Sequence, residues 1–423
     1  MTDVCSKDAV LGPLIPFSVF LYFSLMFAVP SGYSYGAALL LLGGLYFLAR
    51  RPSLLLSRDD RAIIYAFFAV FLVSLFAVIV HGDGYKTLDQ TSRFLFAIPI
   101  LLLLLKLPPT LPTMWSGVVI GIVLSNGIAV WQLHWENEDR ASGFLNIIHF
   151  GNIGLVFGIL CVTGMLWAGT QGRYANRWRA AFVLGVLASI YAVIASGSRG
   201  SWLAIPPVLL IFLAAFLTKR NLKHVIGALA ALVVTVGVVF SVPETGVEDR
   251  YDLAVTEVNK YLDEKYVFEN EQVSSVGARL EIWRTAFINI PQKPLLGWGD
   301  AEYQVQLKHQ VARGEIDPYM LQMANAHNNY LEVWIYQGLP GLLALLAVYF
   351  IPLWLFCKRI RSHDITVKAL ALSGAGLVAS YSMFSMSQVI LGRNNGVIFY
   401  ALTLVILWAC MREAERKAPP ASP

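Results

Sequence analysis

The chain has 423 residues, of which 57% are hydrophobic and only 14% are charged. A soluble globular protein of this size needs a larger polar surface, so the composition excludes that class. Repeated apolar runs of about 16–24 residues instead predict an all-α polytopic membrane protein. The net charge of +5 is spread over short loops and does not indicate a nucleic-acid partner. The four cysteines form no CxxC pair, so we expect neither disulfides nor a cysteine metal site.

Apolar runs in chain order predict twelve transmembrane helices. They lie at 13–30, 33–50, 62–80, 93–107, 112–133, 146–168, 178–196, 201–217, 224–242, 329–356, 367–391 and 395–411. The fourth helix is predicted to be short. The first run lacks a basic leader and a small-residue cleavage site, so we expect it to be a retained helix and not a signal peptide.

Basic residues orient the predicted helices. Alternate connections, on the side that both termini share, hold Arg50, Arg51, Arg58, Arg61, Lys106, Arg173, Arg177, Arg179, Lys219, Arg220, Lys223, Lys358, Arg359, Arg361, Lys368, Arg412, Arg416 and Lys417. The opposite short connections hold only Lys86, Arg93, Arg140, Arg199 and Arg393. Cytoplasmic loops carry the excess of Lys and Arg, so both termini are predicted to be cytoplasmic.

One predicted outer connection is much longer than the others. Its stretches "DRYDLAVTEVNKYLDEKYVF" and "VGARLEIWRTAFINI" have helical periodicity, and "PQKPLLGWGD" is typical of a turn. The predicted organisation is therefore helices 1–9 over 1–242, a helical outer cap over 243–328, helices 10–12 over 329–411, and a cytoplasmic tail over 412–423.

Arginines on the outer side are disfavoured by the insertion bias, which makes them candidate functional residues. Arg199 lies in the short turn "SGSRGSWLA", where glycines permit a close approach and Ser198 can cap a helix or donate to an anion. A guanidinium matches phosphate oxygens in a fork, which favours phosphate binding. The alternative for Arg199 is an interfacial arginine whose guanidinium reaches lipid headgroups.

Three further outer regions hold candidate arginines. Arg279 shares a predicted helix face with Trp283 and is favoured as a ligand contact over Arg284, which can pair with Glu281. Two others, Arg140 beside acidic residues and Arg93 at a helix end, have structural alternatives as strong as a substrate role.

A histidine lies where the predicted cap meets the tenth helix. His327 titrates near neutrality and can accept a proton there. The alternative is structural, with Asn328 or Asn329 capping the helix and His327 resting at the interface. Glu332 is the main acid inside a predicted helix, and this scarcity argues against an ion-coupled transporter.

Other site classes have weaker signals in the sequence. It contains no HExxH, P-loop or GxSxG motif. The "ENED" segment at Glu136–Asp139 can be read as a carboxylate cluster for a divalent cation, although an acidic surface loop is the simpler interpretation.

These residues carry a resemblance to the O-antigen ligase/polymerase superfamily. "HNNYLEVWIYQGLPG" resembles the superfamily signature in which a histidine (His327) and an amide (Asn328) precede a Gly-x-x-Gly (Gly338 and Gly341). "SGSRGSWLA" resembles its arginine turn, and "RLEIWRTAFINIPQKPLLGWG" resembles the segment before its histidine. The resemblance covers nearly the whole chain, including the long loop before the histidine.

The resemblance implies a metal-independent, GT-C-like glycosyltransferase of the bacterial inner membrane, a monomer with its site on the periplasmic side. The layout looks most like the O-antigen ligases, which move a glycan from undecaprenyl diphosphate to lipid A-core. The resemblance implies His327 as catalytic base and Arg199 and Arg279 as diphosphate ligands, with Arg140 and Arg93 as further ligands and Asn328, Ser198 and Arg284 in support. No cofactor is implied. A polymerase, a protein O-oligosaccharyltransferase and a flippase of lipid-linked glycans remain as alternatives.

Overall fold

A computed structural model describes residues 10–217, 275–323 and 325–418, together with Thr256 and Asn259. These ranges are helical and contain no β-strand. We number their helices α1 (Leu11–Ser24), α2 (Gly32–Ala49), α3 (Arg58–His81), α4 (Asp89–Lys106), α5 (Leu111–His134), α6 (Ile147–Ala168), α7 (Ala175–Ser196), α8 (Ile205–Phe216), α9 (Ser275–Asn289), α10 (Asp300–Ala312), α11 (Asn329–Cys357), α12 (Ile365–Ser387) and α13 (Asn394–Lys417).

The polytopic architecture predicted from the sequence is confirmed, but the count of twelve helices is not. Ten helices of the described ranges, α2–α8 and α11–α13, are long and apolar enough to cross a membrane, some with an adjoining 3-10 turn, and α1 is a shorter apolar helix. The predicted ninth helix (224–242) and the first helical stretch of the long loop lie outside the described residues, apart from Thr256 and Asn259.

The fourth helix is longer than its apolar run. It begins at Asp89, four residues before the predicted start, and follows a 3-10 turn at Tyr85–Leu88. Asp89 lies in the first turn, where a negative charge is favoured by the helix dipole, and it forms an ion pair with Arg93 one turn later. The prediction of a short helix was wrong because hydropathy does not register such polar first turns.

Three helices form the centre of the bundle. The apolar windows of α13, α12 and α6 are 89%, 83% and 78% buried, whereas that of α8 is only 11% buried. Small residues let α6 approach α7: a Cβ added at Gly158 would lie 2.2 Å from Ser189 Oγ, and that hydroxyl donates to the Gly154 carbonyl at 2.8 Å. Glycine and serine stripes of this kind are typical of close helix packing in membranes. The packing fixes the end of α7, from which the Arg199 turn begins.

A break in α11 joins the bundle to the segment before α10. Gly338 has φ +65°, and Pro340 has no N–H, so the helical hydrogen-bond ladder is interrupted there. Three backbone hydrogen bonds instead cross to the 294–299 turn: Trp298 N to Ile335 O (2.7 Å), Gly299 N to Tyr336 O (3.1 Å) and Leu339 N to Pro294 O (2.9 Å). A Cβ at Gly338 would lie 2.2 Å from Leu295 O, so no larger residue fits.

The two ends of the bundle carry different sets of polar residues. We call the end that holds the α1–α2, α3–α4, α5–α6, α7–α8 and α12–α13 connections the His327 end, because α11 begins there directly after His327. The other end, which we call the opposite end, holds an ion-pair network centred on Arg359 and Arg412.

Candidate active site

The loop before α11 is held by three side chains. His327 has a left-handed backbone (φ +48°), and its N–H donates to Asn325 Oδ1 at 3.0 Å. The preceding peptide is fixed on both sides, because Trp283 Nε1 donates to the Ala326 carbonyl at 3.1 Å and the Ala326 N–H donates to Glu332 at 2.6 Å. A non-glycine residue in this conformation is strained and persists where its surroundings hold it, often at functional sites.

The two amides after the histidine have structural tasks. Asn328 is the N-cap of α11 and accepts hydrogen bonds from the N–H groups of Tyr330 (2.9 Å) and Leu331 (3.1 Å), as the capping alternative predicted. Asn328 also donates to the Met386 carbonyl at 3.2 Å, and the buried Asn329 accepts from the Leu391 N–H at 3.1 Å. The two amides therefore hold the start of α11 against the end of α12 and the connection that follows it.

The imidazole of His327 is oriented by a residue that the sequence reading missed. His327 Nδ1 lies 2.9 Å from Oε1 of the buried Gln388, at the end of α12. An amide oxygen only accepts hydrogen bonds, so Nδ1 carries the proton and donates it. In this tautomer the lone pair lies on Nε2, which leaves that nitrogen as the proton-accepting atom.

The surroundings of His327 favour the neutral ring. Burial is the largest cause and lowers the pKa of His327 below its usual value, and the positive charges of Arg279 and Arg393 lower that pKa further. The hydrogen bond with Gln388 acts in the opposite direction and raises the pKa. The net shift is downward, so the ring is neutral and able to accept a proton at neutral pH.

The predicted arginine turn lies against the end of α12. Arg199 opens a 3-10 turn, Arg199–Ala204, and its side chain is exposed. Gly200 allows this approach, because a Cβ there would lie 2.7 Å from Ser387 Oγ, next to Gln388 in the chain. Ser198 is buried against α6, which limits its reach towards an anion.

Arg140 belongs to the same turn. Its Nε donates to the Ser196 carbonyl at 2.7 Å, and a Cβ added at Gly197 would lie 3.1 Å from that Nε. Arg140 thus caps the C-terminus of α7, where a cation is favoured by the helix dipole, and adds positive charge beside Arg199.

The second predicted phosphate ligand lies on α9. Burial, and then the positive charge of Arg199, lower the pKa of Arg279 below its usual value, so the two guanidinium groups are close enough to repel each other. Within the described residues Arg279 has no hydrogen-bond or ion-pair partner. Trp283, four residues on, contacts the His327 loop, which places Arg279 on the helix face towards that loop.

The other two predicted arginines each have a carboxylate partner. Arg284 forms two hydrogen bonds to the Glu281 carboxylate, at 2.9 and 3.0 Å, the ion pair that the structural alternative predicted. Arg93 pairs with Asp89 at 2.6 Å and donates to Asn394 at 3.3 Å, between α4 and α13. In the part of the chain that the structure describes, no three His, Cys, Asp or Glu side chains are grouped to hold a metal ion.

The site therefore gathers Arg199, Arg279 and His327 and joins Arg140 to the Arg199 turn. It also contains Gln388 and Arg393, which no sequence motif marked. Arg393 was recognisable only as a basic residue on the sparse outer side, and Gln388 as a polar residue after an apolar helix. Their relation to His327 depends on the packing of α12 against α11.

Comparison with known proteins now bears on this arrangement. Residues 183–346 match the family model Wzy_C, O-antigen ligase. The matched segment contains Arg199, Arg279 and His327, so the family resemblance predicted from the sequence is confirmed. The chain is also 28% identical over 386 residues to an uncharacterized protein of Haemophilus influenzae, a match that covers 90% of this chain and 94% of that protein. The match to Wzy_C supports a membrane enzyme of the O-antigen ligase/polymerase type that acts on lipid-linked substrates.

Proposed function

We propose that this chain is an O-antigen ligase of the bacterial inner membrane. It transfers a glycan from undecaprenyl diphosphate to a sugar hydroxyl of lipid A-core by an inverting, metal-independent displacement in a GT-C-like fold. The observation that carries the proposal is the arrangement of His327, with Nε2 as its basic nitrogen, beside the repelling pair Arg199 and Arg279. Arg279 has no carboxylate partner among the described residues, and the charge of Arg199 adds to its own, so a bound diphosphate would supply the compensating negative charge.

Donor binding is assigned to the arginines. Arg199 and Arg279 hold the diphosphate, and Arg140 adds positive charge from the end of α7. Arg279 is partly desolvated, which strengthens its interaction with a bound phosphate. We do not assign Arg93 to the donor, because Asp89 already neutralises its charge.

The chemical step is assigned to His327. Nε2 takes the proton of the acceptor hydroxyl as its oxygen forms the new bond to the anomeric carbon and the bond to the diphosphate breaks. General-base assistance of this kind typically contributes about 10²–10⁴-fold to a rate. The arginines stabilise the negative charge that develops on the departing diphosphate, a task that a metal ion performs in other enzymes. A single displacement inverts the configuration at that carbon.

The distribution of basic loop residues supports a site on the periplasmic side. The loop charges predict cytoplasmic termini, and His327, Arg199 and Arg279 then lie at the opposite face, where glycans on lipid carriers are joined. Gln388 is a positioning residue that selects the tautomer of His327.

The test offers the purified full-length protein one undecaprenyl diphosphate-linked glycan together with three acceptors: lipid A-core, a second donor glycan and a peptide. Glycan on lipid A-core is the expected product. Glycan joined to glycan would identify a polymerase, and glycan on the peptide a protein O-oligosaccharyltransferase. Movement of the donor across a vesicle membrane without a new covalent product would identify a flippase. Each of these three results would contradict the ligase assignment.

A further inference from the structure

A groove opens on the lipid-facing side of the bundle, away from the diphosphate ligands. It has a volume of about 380 Å³ and lies between α2, α4 and α13. Its walls are three helix faces that run inward from the His327 end: Tyr33, Ala37 and Leu41; Arg93, Phe96 and Ile100; Asn394, Ile398 and Leu402. Eight residues of helix measure about 12 Å, so the groove reaches well into the membrane-spanning region.

The groove is polar at its outer end and apolar further in. Arg93 and Asn394 lie at its outer end, and the walls below them are Ala, Leu, Ile and Phe. Phe96 and Ala38 are exposed, so the groove is open towards lipid and is not sealed by another described helix. A polar head above an apolar slot matches the shape and polarity of a lipid whose headgroup stays at the membrane surface.

A second hollow lies directly above the groove. Its volume is about 510 Å³, and it shares Ser31, Tyr33 and Asn394 with the groove below. Arg393 lines this hollow, is exposed, and has no ion-pair or hydrogen-bond partner for its side chain within the described ranges. The remaining lining is mostly polar and includes Gln90, Asn146 and Asn395. Arg393 therefore gives the hollow its positive charge. The charge of the nearby Arg93 is compensated by Asp89.

We propose that the groove and this hollow bind a second lipid, distinct from the donor, that carries phosphate near its headgroup. Under the proposed function, on which this inference rests, that lipid is the acceptor, lipid A-core. Its hydrocarbon chain occupies the slot between α2, α4 and α13, and its phosphate binds Arg393. Guanidinium groups recognise phosphate oxygens, and the apolar slot excludes a purely polar ligand such as a peptide side chain.

The connection between α12 and α13 links the groove to His327. Gln388 orients the imidazole at one end of this short segment, and Asn394 accepts a hydrogen bond from Arg93 at the other. Arg393 lies between them in sequence and acts electrostatically on His327. A lipid bound in the groove thus presents its polar part towards the histidine from the side of α13, whereas Arg199 and Arg279 approach from α7 and α9.

The experiment measures binding of two probes to the full-length protein by native mass spectrometry: lipid A-core and undecaprenyl diphosphate. Ala38→Trp fills the groove, and Arg393→Gln removes the free charge. Ala180→Trp, on an exposed position of α7 away from the groove, is the matched control. We expect both groove variants to bind lipid A-core about tenfold more weakly or worse, with undecaprenyl diphosphate unaffected and the control unchanged.

Weaker undecaprenyl diphosphate binding by Ala38→Trp would overturn the proposal, since the groove would then belong to the donor. Unchanged lipid A-core binding by both variants would overturn it as well. Phosphatidylglycerol that displaces lipid A-core at equal concentration would reduce the groove to a general anionic-lipid site and overturn the acceptor assignment. If the wild-type protein transfers no glycan but Ala38→Trp still weakens lipid A-core binding, the proposed function fails and the groove assignment stands.

Discussion

Arginines are placed differently at the two ends of the helix bundle. At the opposite end, Arg359 pairs with Asp59 at 2.8 Å and with Glu415, and Arg412 pairs with Asp60 and the same Glu415. At the His327 end, the positive charge of Arg199 acts on Arg279, which has no carboxylate partner among the described residues.

The contrast distinguishes arginines whose charge a carboxylate compensates from Arg279, which has no carboxylate partner among the described residues. A partly buried arginine normally costs free energy unless a carboxylate compensates its charge, which the network at the opposite end provides. The His327 end forgoes that compensation at Arg279 and places repelling charges beside a histidine in a strained backbone conformation. Proteins break such local rules mainly at functional sites, where a ligand completes the arrangement. The same reasoning predicts different outcomes for mutations at the two ends.

The largest effect is expected at His327. Replacing the proposed base in His327→Ala should lower the rate of glycan transfer by about 10²–10⁴-fold, because the variant lacks the imidazole that we propose as the proton acceptor. A single-turnover assay with preloaded donor isolates this step. His134→Ala, at an exposed histidine near the same membrane surface, is the control and should keep the wild-type rate. Equal rates for the two variants would remove His327 from the chemistry.

Next in size is the loss of an arginine that faces the donor. Arg279→Ala should weaken binding of undecaprenyl diphosphate by roughly tenfold to a hundredfold, as a charge-assisted hydrogen bond is lost. Arg279→Lys keeps the positive charge but not the forked guanidinium group. Its affinity for the donor should therefore lie between those of the wild type and Arg279→Ala. Arg313, exposed and paired with Glu315, is the matched control, so Arg313→Ala should bind the donor as the wild type does. An identical donor affinity in Arg279→Ala would assign the arginine to structure alone.

A structural change at the break in α11 should have a smaller but measurable effect. Gly338→Ala places a Cβ 2.2 Å from Leu295 O and forces a residue into φ +65°. The expected loss of stability is about 1–3 kcal/mol, seen as a lower unfolding temperature and faster proteolysis near residues 294–299. Gly127→Ala, at a helical glycine with open space around it, is the control. Unchanged stability in Gly338→Ala would mean that the crossing hydrogen bonds do not hold this segment.

The smallest expected effects are shifts in the pH dependence of transfer activity, in opposite directions for two variants. The acid limb of activity should follow the pKa of His327, with activity lost as pH falls through that value. Arg393→Gln removes a charge that lowers the pKa, so the limb should move to higher pH. Gln388→Leu removes the hydrogen bond that raises the pKa of His327, so the acid limb should move to lower pH. We also expect the transfer rate to fall by up to about tenfold. Shifts in the same direction for both variants would contradict the assignment of the limb to His327.

Much of the fold could be predicted from local sequence, because each membrane-length helix corresponds to one apolar run. The runs located the ten apolar membrane-length helices of the described ranges and α1, but several ends differ from the prediction. A polar first turn extends α4 back to Asp89, α1 ends at Ser24 and not at 30, and α13 continues to Lys417 and not only to 411. The alternation of basic loops predicted an outer side with few basic residues, and assigned Arg199, Arg279 and His327 to it. In the structure the charge of Arg199 acts on Arg279, and that of Arg279 acts on His327. Their functional roles remain predictions.

Contacts between distant parts of the chain could not be predicted. Gln388 lies 61 residues after His327, and nothing in its neighbours marks it as the partner of an imidazole. Glu332 was recognised as an isolated acid, but its bond to the Ala326 N–H depends on the left-handed turn at His327. Gly338 and Gly341 were recognised as part of a signature, but the hydrogen bonds of the neighbouring Ile335, Tyr336 and Leu339 with the 294–299 turn need both segments in place.

The central claim is that the His327 end separates donor binding from proton transfer between two sets of residues. The most direct test measures donor affinity and single-turnover transfer side by side on His327→Ala and Arg279→Ala in the same vesicles. His327→Ala should bind undecaprenyl diphosphate-linked glycan as the wild type does and fail to transfer it. Arg279→Ala should bind it weakly and recover part of its transfer rate at high donor concentration. Loss of donor binding in His327→Ala, together with normal binding in Arg279→Ala, would contradict the account.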